Sequence, residues 1–258
     1  MTLNTALSAA SALVALAFGL STADRWARRR RRHDMAWTVA MGLFTVAALS
    51  LWWAESRGWS TASFRMFFAF GAVINVPWLA LGTVYLLAGT RIGDVTARVL
   101  LVFSGFALGV VMVVPMSPVD GDELPKGSEV FTALPRILAA VGSALPAMVI
   151  FLGAAYSAVQ VLRRRSPSVT TSARRVVSAP GRLALGNVLI ACGSVILSAS
   201  GSLAGRLGED TAFATTLLVG ICVLFAGFLV ASGSTIAARP ASAVVRDLID
   251  DASLQRVA

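Results

Sequence analysis

Apolar positions along the chain gather into seven stretches, with most of the charged residues in the connections between them. The stretches run over approximately 6–23, 35–54, 61–89, 99–115, 135–162, 183–203 and 213–231. A helix rises 1.5 Å per residue, so ~20 apolar residues cross the hydrocarbon core of a bilayer, and these segments are of about that length. The pattern predicts an all-α membrane protein of seven transmembrane helices over residues 1–234, followed by a tail, 235–258. In the tail, Ala241, Val244, Val245, Leu248, Ile249 and Ala252 recur with helical spacing, which predicts a short amphipathic helix. Its polar face is acidic (Asp247, Asp250, Asp251), which favours packing on basic loops or on a partner over lipid binding.

The third stretch, TASFRMFFAFGAVINVPWLALGTVYLLAG, carries the most features. Ser60 or Thr61 supplies its N-cap. Arg65 stands at one end and Tyr85 near the other, with Asn75, Pro77 and Trp78 at mid-depth. Pro77 lacks a backbone N–H, so it removes one helical hydrogen bond in mid-membrane. The connection TRIGDVTAR reads as a loop before the fourth segment. A more polar stretch, Met116 to Leu134, separates the fourth from the fifth, which begins near Pro135, a residue favoured in the first helical turn.

Composition agrees with this class. Apolar residues make up 57% of the chain and charged residues 14%, against about 25% charged in soluble domains. The two cysteines, Cys192 and Cys222, lie within apolar segments and read as small buried hydrophobes.

Charge then sets an expected orientation. Of the 22 basic residues, 17 fall in the connections after the first, third and fifth segments and in the tail. Basic residues are retained in the cytoplasm, so the N-terminus is expected outside and the C-terminus in the cytoplasm of a bacterial inner (plasma) membrane, crossed several times. The formal charge of +9 is therefore expected to meet anionic lipid headgroups, not nucleic acid. Arg28, Arg29, Arg30, Arg31 and Arg32 in the first loop, with Arg163, Arg164 and Arg165 in the fifth, are the candidate contacts for lipid or for a cytoplasmic or membrane protein partner.

Candidate chemistry is sparse. The lone histidine, His33, cannot build a bis-histidine haem site, an HExxH zinc site or a Ser–His pair. No Asp or Glu lies in the middle of a span, so an intramembrane carboxylate relay has no residues to use. No cofactor, no metal site and no catalytic residue is expected; the DGDE run at 120–123 resembles a calcium loop only loosely. What the spans hold is neutral: Asn75, Trp78, Tyr85, Tyr156 and Asn187 are the candidate walls of a pocket opened at the proline. Glu55 and Arg65 are expected to pair at the outer rim. Small residues at Gly105/Gly109, Gly201/Gly205 and Gly227/Ala231 have the spacing that lets helices approach closely.

Between residues 25 and 91, the runs RRRRRHDMAW, LWWAE and FRMFFAFGAVINVPWLALGTVYLL occur in an order that resembles the seven-helix N-terminal sensor region of certain bacterial histidine kinases. The resemblance implies a sensor-like membrane bundle. About 25 residues follow the seventh segment, without a kinase domain, so a sensor of this kind would act through a separate cytoplasmic partner. The expected function is accordingly a non-enzymatic, receptor-like or accessory membrane subunit. The alternative is a facilitator or small transporter for a neutral or apolar solute, and the third reading is a membrane enzyme with an outward-facing site.

Overall fold

The structure, a computed structural model, describes residues 2–163 except 120 and 122, residues 182, 185 and 186, and residues 188–197 and 210–233. The expected tail helix, Asn187, Arg164, Arg165 and the Gly201/Gly205 pair lie outside the described residues. Seven helices are labelled in chain order: α1 Leu3–Arg29, α2 Arg32–Arg57, α3 Thr61–Leu87, α4 Gly89–Val113, α5 Ala133–Arg163, α6 Val188–Leu197 and α7 Asp210–Gly233. Among the described residues, six of these, all but α6, are long and apolar enough to cross a membrane. The sixth expected span is represented by the ten residues of α6.

Local chemistry explains where the helices begin and end. Thr2 caps α1 by accepting from the Thr5 backbone N–H. Ser60 and Ser63 cap α3 reciprocally, each hydroxyl accepting from the other's backbone N–H, a capping box built from two serines. The TRIGDVTAR run, expected as a loop, is helical: α4 starts directly at Gly89. Gly89 has φ +82°, a left-handed conformation that glycine adopts without a Cβ clash, so the chain reverses between α3 and α4 with a single non-helical residue, Ala88.

α1 packs partly through small and hydroxyl side chains. On α1, Ser8, Ser11, Ala15 and Thr22 are fully buried, whereas Leu13 and Leu20 are more than 60% exposed. The buried hydroxyls donate to carbonyls of their own helix: Ser11 to Leu7, Thr22 to Gly19. On α1, small and hydroxyl side chains thus share the seam with Phe18 while Leu13 and Leu20 face outward, an arrangement suited to lipid as solvent. The α6/α7 seam has the same logic. Gly186 and Gly193 face Ala231 and Leu224, and Gly227 and Gly220 face Ile190 and Leu197, an antiparallel contact made across the four glycines.

α3 is the central helix. It packs on α2, α4 and α5, and half of its apolar window is buried (50%), against 17% for the peripheral α4. α1 packs along α2 and against α7, where Phe18 stacks on Phe225 and meets Phe228. The two ends of the bundle differ. One, the arginine end, carries the α1–α2 and α3–α4 turns. The other, the loop end, carries the α2–α3 turn and the 114–132 segment, tied together by Trp59 N–H donating to the Gly121 carbonyl.

Candidate functional site

The middle of α3 is not α-helical. Residues Phe68–Ile74 form a π-helix that hands over to regular helix at Asn75. Pro77 supplies the cause: it cannot donate to the carbonyl four residues back, that of Val73, and its ring pushes that carbonyl aside. α5 accommodates the displaced carbonyl with a glycine. A Cβ on Gly142 would lie 2.4 Å from the Val73 oxygen, so only a residue without a side chain fits there.

Beside this distortion lies a cavity of about 490 Å³, bounded by α2, α3, α5, α6 and α7 and by the 124–128 segment. That volume is in the range of small-molecule sites. Its body is apolar, with Phe44, Phe67 and Leu217 among the lining residues. Its lining runs from Arg136 to Ile150 along α5, which is about 21 Å of helix, so the space is a slot along the helix axes and not a bowl.

Polar groups enter the slot at two levels. Mid-slot, Asn75 is 6% exposed and its Oδ1 is buried without a hydrogen-bond partner among the described residues. Ser143 and Ser194 also line the slot, but their hydroxyls are engaged by the carbonyls of Ala139 and Ile190. At the loop end stand Lys126, Ser128 and Arg136. Lys126 pairs with Glu129 at 3.5 Å, whereas Arg136 is exposed and has no ion pair among the described residues. The short helix Gly127–Val130 and Phe131 cover this end, Phe131 packing on Phe64 and Phe68.

The opposite end of the slot is filled. The lining stops at Leu79 on α3. Beyond it, the Trp37 indole fills the space over Gly82, where a Cβ would fall 2.0 Å from its nitrogen. Leu81 and Tyr85 are buried at the same level. The Tyr85 hydroxyl donates to Asp94 Oδ1 at 2.9 Å, and Arg32 pairs with the same carboxylate. Tyr85 and Arg32 thus tie the first and third connections together across the arginine end.

Of the four described residues expected to wall a pocket, Asn75 alone lines the slot. Trp78 instead donates its indole N–H to Ser104 Oγ at 3.1 Å, joining α3 to α4. Tyr85 belongs to the arginine-end tie, Tyr156 is 57% exposed on α5, and Asn187 lies outside the described residues. Arg65 donates to the backbone carbonyls of Val111 and Val114, the latter at 2.8 Å. It places a cation on the orphan carbonyls and the negative dipole end of α4. The Glu55 carbonyl accepts from Thr5. Arg28 to Arg32 are all exposed; Arg28 pairs with Asp24, and Arg30 lies over the Trp26 ring. Arg163 is the last residue of α5.

Two residues, one at the slot and one at the arginine end, were not singled out as pocket residues from the sequence. Arg136 stands next to Pro135 in the first turns of α5, and only the folded loop places it at the mouth of the slot. Arg25 is the second: its guanidinium turns inward to Asp34, which is fully buried, at 3.3 Å, and lies over the Phe228 ring at 4.6 Å. Among the described residues, no group of His, Cys, Asp and Glu is placed to hold a metal ion. No family model matches the chain, and neither a curated protein nor a solved structure does.

Proposed function

We propose that this chain is a receptor-like, non-enzymatic membrane protein that holds an apolar-bodied ligand in the slot between α2, α3, α5, α6 and α7. The observation that carries the reading is the buried amide oxygen of Asn75, which has no hydrogen-bond partner among the described residues, in a slot filled at one end. An unsatisfied buried polar group costs stability, and a binding site is a reason to keep one. The slot lining contains no carboxylate, imidazole, thiol or phenol among the described residues, which favours binding over catalysis. A facilitator needs a path that opens to both sides. The Trp37–Gly82 contact and the Tyr85–Asp94–Arg32 tie favour a one-ended site instead.

In this reading the arginine end faces the cytoplasm of the bacterial inner membrane and the slot opens towards the outside. Arg28 to Arg32, which are exposed, then meet anionic lipid or a cytoplasmic partner that reads the state of the bundle. The test is photolabelling of the full chain in lipid nanodiscs with an uncharged aliphatic diazirine alcohol. Label is expected on Phe64–Leu79 and Ala139–Ile150 and is expected to disappear in Ala147→Phe, which fills the slot. Label confined to the outward face of α4, or unchanged in Ala147→Phe, overturns the reading.

A further inference from the structure

Resting on the reading of the slot as a ligand site, we infer that its ligand is a single-chain lipid with an anionic head at Arg136 and a hydrogen-bonding group part-way along its chain at Asn75. Three observations converge on this class. The space is long and narrow and its body is apolar, which fits one extended chain lying along the helix axes. Among the described residues its mouth carries two cations, Lys126 and Arg136, and no lining carboxylate, and Lys126 alone of the two is ion-paired, with Glu129. A guanidinium presents a fork of N–H donors suited to carboxylate or phosphate oxygens, so the head is one of these.

The third observation is depth. Val73 sits beside Gly142, and α3 and α5 run in the same direction, so Asn75 lies near the level of residue 144. That is eight residues below Arg136, or roughly 12 Å along the helix. A purely saturated chain would leave Asn75 Oδ1 buried in the complex without a partner among the described residues, as it is in the free protein. A hydroxyl group at that distance from the head donates to Oδ1 and satisfies it. The slot thus measures a ligand: charge at the mouth, hydrocarbon between, one polar group at a set depth.

The experiment uses the full chain in nanodiscs of zwitterionic lipid, labelled with a diazirine-bearing hexadecanoate. Four competitors are compared: hexadecanoate, a single-chain lysophosphatidate, a mid-chain hydroxy octadecanoate and hexadecanol. The anionic chains are expected to compete better than the alcohol, and the hydroxylated chain best of all. The better of the carboxylate and phosphate heads names the source of the anion. Arg136→Gln, an exposed change that leaves the fold intact, is expected to weaken the anionic competitors about tenfold and leave the alcohol unchanged. Asn75→Leu is expected to abolish the advantage of the hydroxylated chain without affecting plain hexadecanoate. If the alcohol competes as well as the acids, in both wild type and Arg136→Gln, the anionic-lipid inference fails while the apolar slot stands. If no competitor displaces label from Phe64–Leu79, both fail.

Discussion

Gly142 faces the carbonyl oxygen of Val73, so closely that a methyl group on Gly142 would lie 2.4 Å from it. This contact joins two helices at the point where Pro77 has withdrawn the donor that Val73 would otherwise use. The π-helical turn, the glycine and the slot beside them form one local solution. α3 widens by a residue, α5 closes over the exposed carbonyl, and Asn75 is left at the handover facing space instead of a neighbouring helix.

Gly142→Ala is therefore expected to destabilise the protein by about 1–3 kcal/mol, the usual cost of forcing atoms into a packed interior. Gly105→Ala is the control. A Cβ there meets nothing within 4 Å, and alanine favours helix over glycine by up to about 1 kcal/mol, so this variant is expected to be neutral or more stable. Thermal unfolding of both in the same detergent checks the pair; equal losses would remove the special status of the Val73 contact.

Asn75→Leu is expected to raise stability. The side chains share the same branching and number of heavy atoms, the slot beside residue 75 has room for the larger leucine, and the change removes a buried amide oxygen that has no partner among the described residues. Leaving such a group unsatisfied costs about 1–3 kcal/mol, which the leucine variant should recover in part. A stabilising change at the centre of the slot marks a residue kept for binding and not for folding. A drop in the unfolding midpoint would mean that Asn75 is structural.

The arginines of the first connection are not equivalent. Arg25→Ala leaves the carboxylate of Asp34, fully buried, without its 3.3 Å partner, and is expected to cost about 3–5 kcal/mol. Arg28→Ala breaks the exposed pair with Asp24 and is expected to cost less than about 1 kcal/mol. Denaturation midpoints separate the two cases, and similar values would show that the Asp34 site is wetter than its burial indicates.

Orientation is tested with cysteines placed in the two sharp turns. Cys192 and Cys222 are first replaced by alanine. A cysteine at Gly58 is then expected to react with a membrane-impermeant maleimide in intact cells, and one at Arg30 only after permeabilisation. The reverse pattern would place the arginine end outside and the slot mouth in the cytoplasm.

Much of the architecture was legible in the residue order, because length, apolarity and charge placement are properties of one segment at a time. Six of the expected segments return as long apolar helices, and Ser60 caps the third as its side-chain chemistry requires. The TRIGDVTAR run misled because its polar residues look like a loop. The helix there depends on Gly89, whose positive φ lets α4 start at once.

The candidate site was legible only in part. Asn75 and Pro77 stand out in any reading, since an amide and a proline at mid-membrane are expensive unless something accommodates them. The fate of the other polar side chains depended on which helix came to lie alongside. Trp78 found Ser104, Tyr85 found Asp94, and Arg65 found the end of α4. Such pairings join residues 9 to 49 positions apart, and one-dimensional spacing carries no information about them. Residue order alone thus determined six of the spans, the gathering of the first-loop arginines at one end and the place of the break in α3. The tertiary structure decided which polar groups are satisfied, and so left Asn75 facing a slot with Arg136 at its mouth, because satisfaction is a property of neighbours in space.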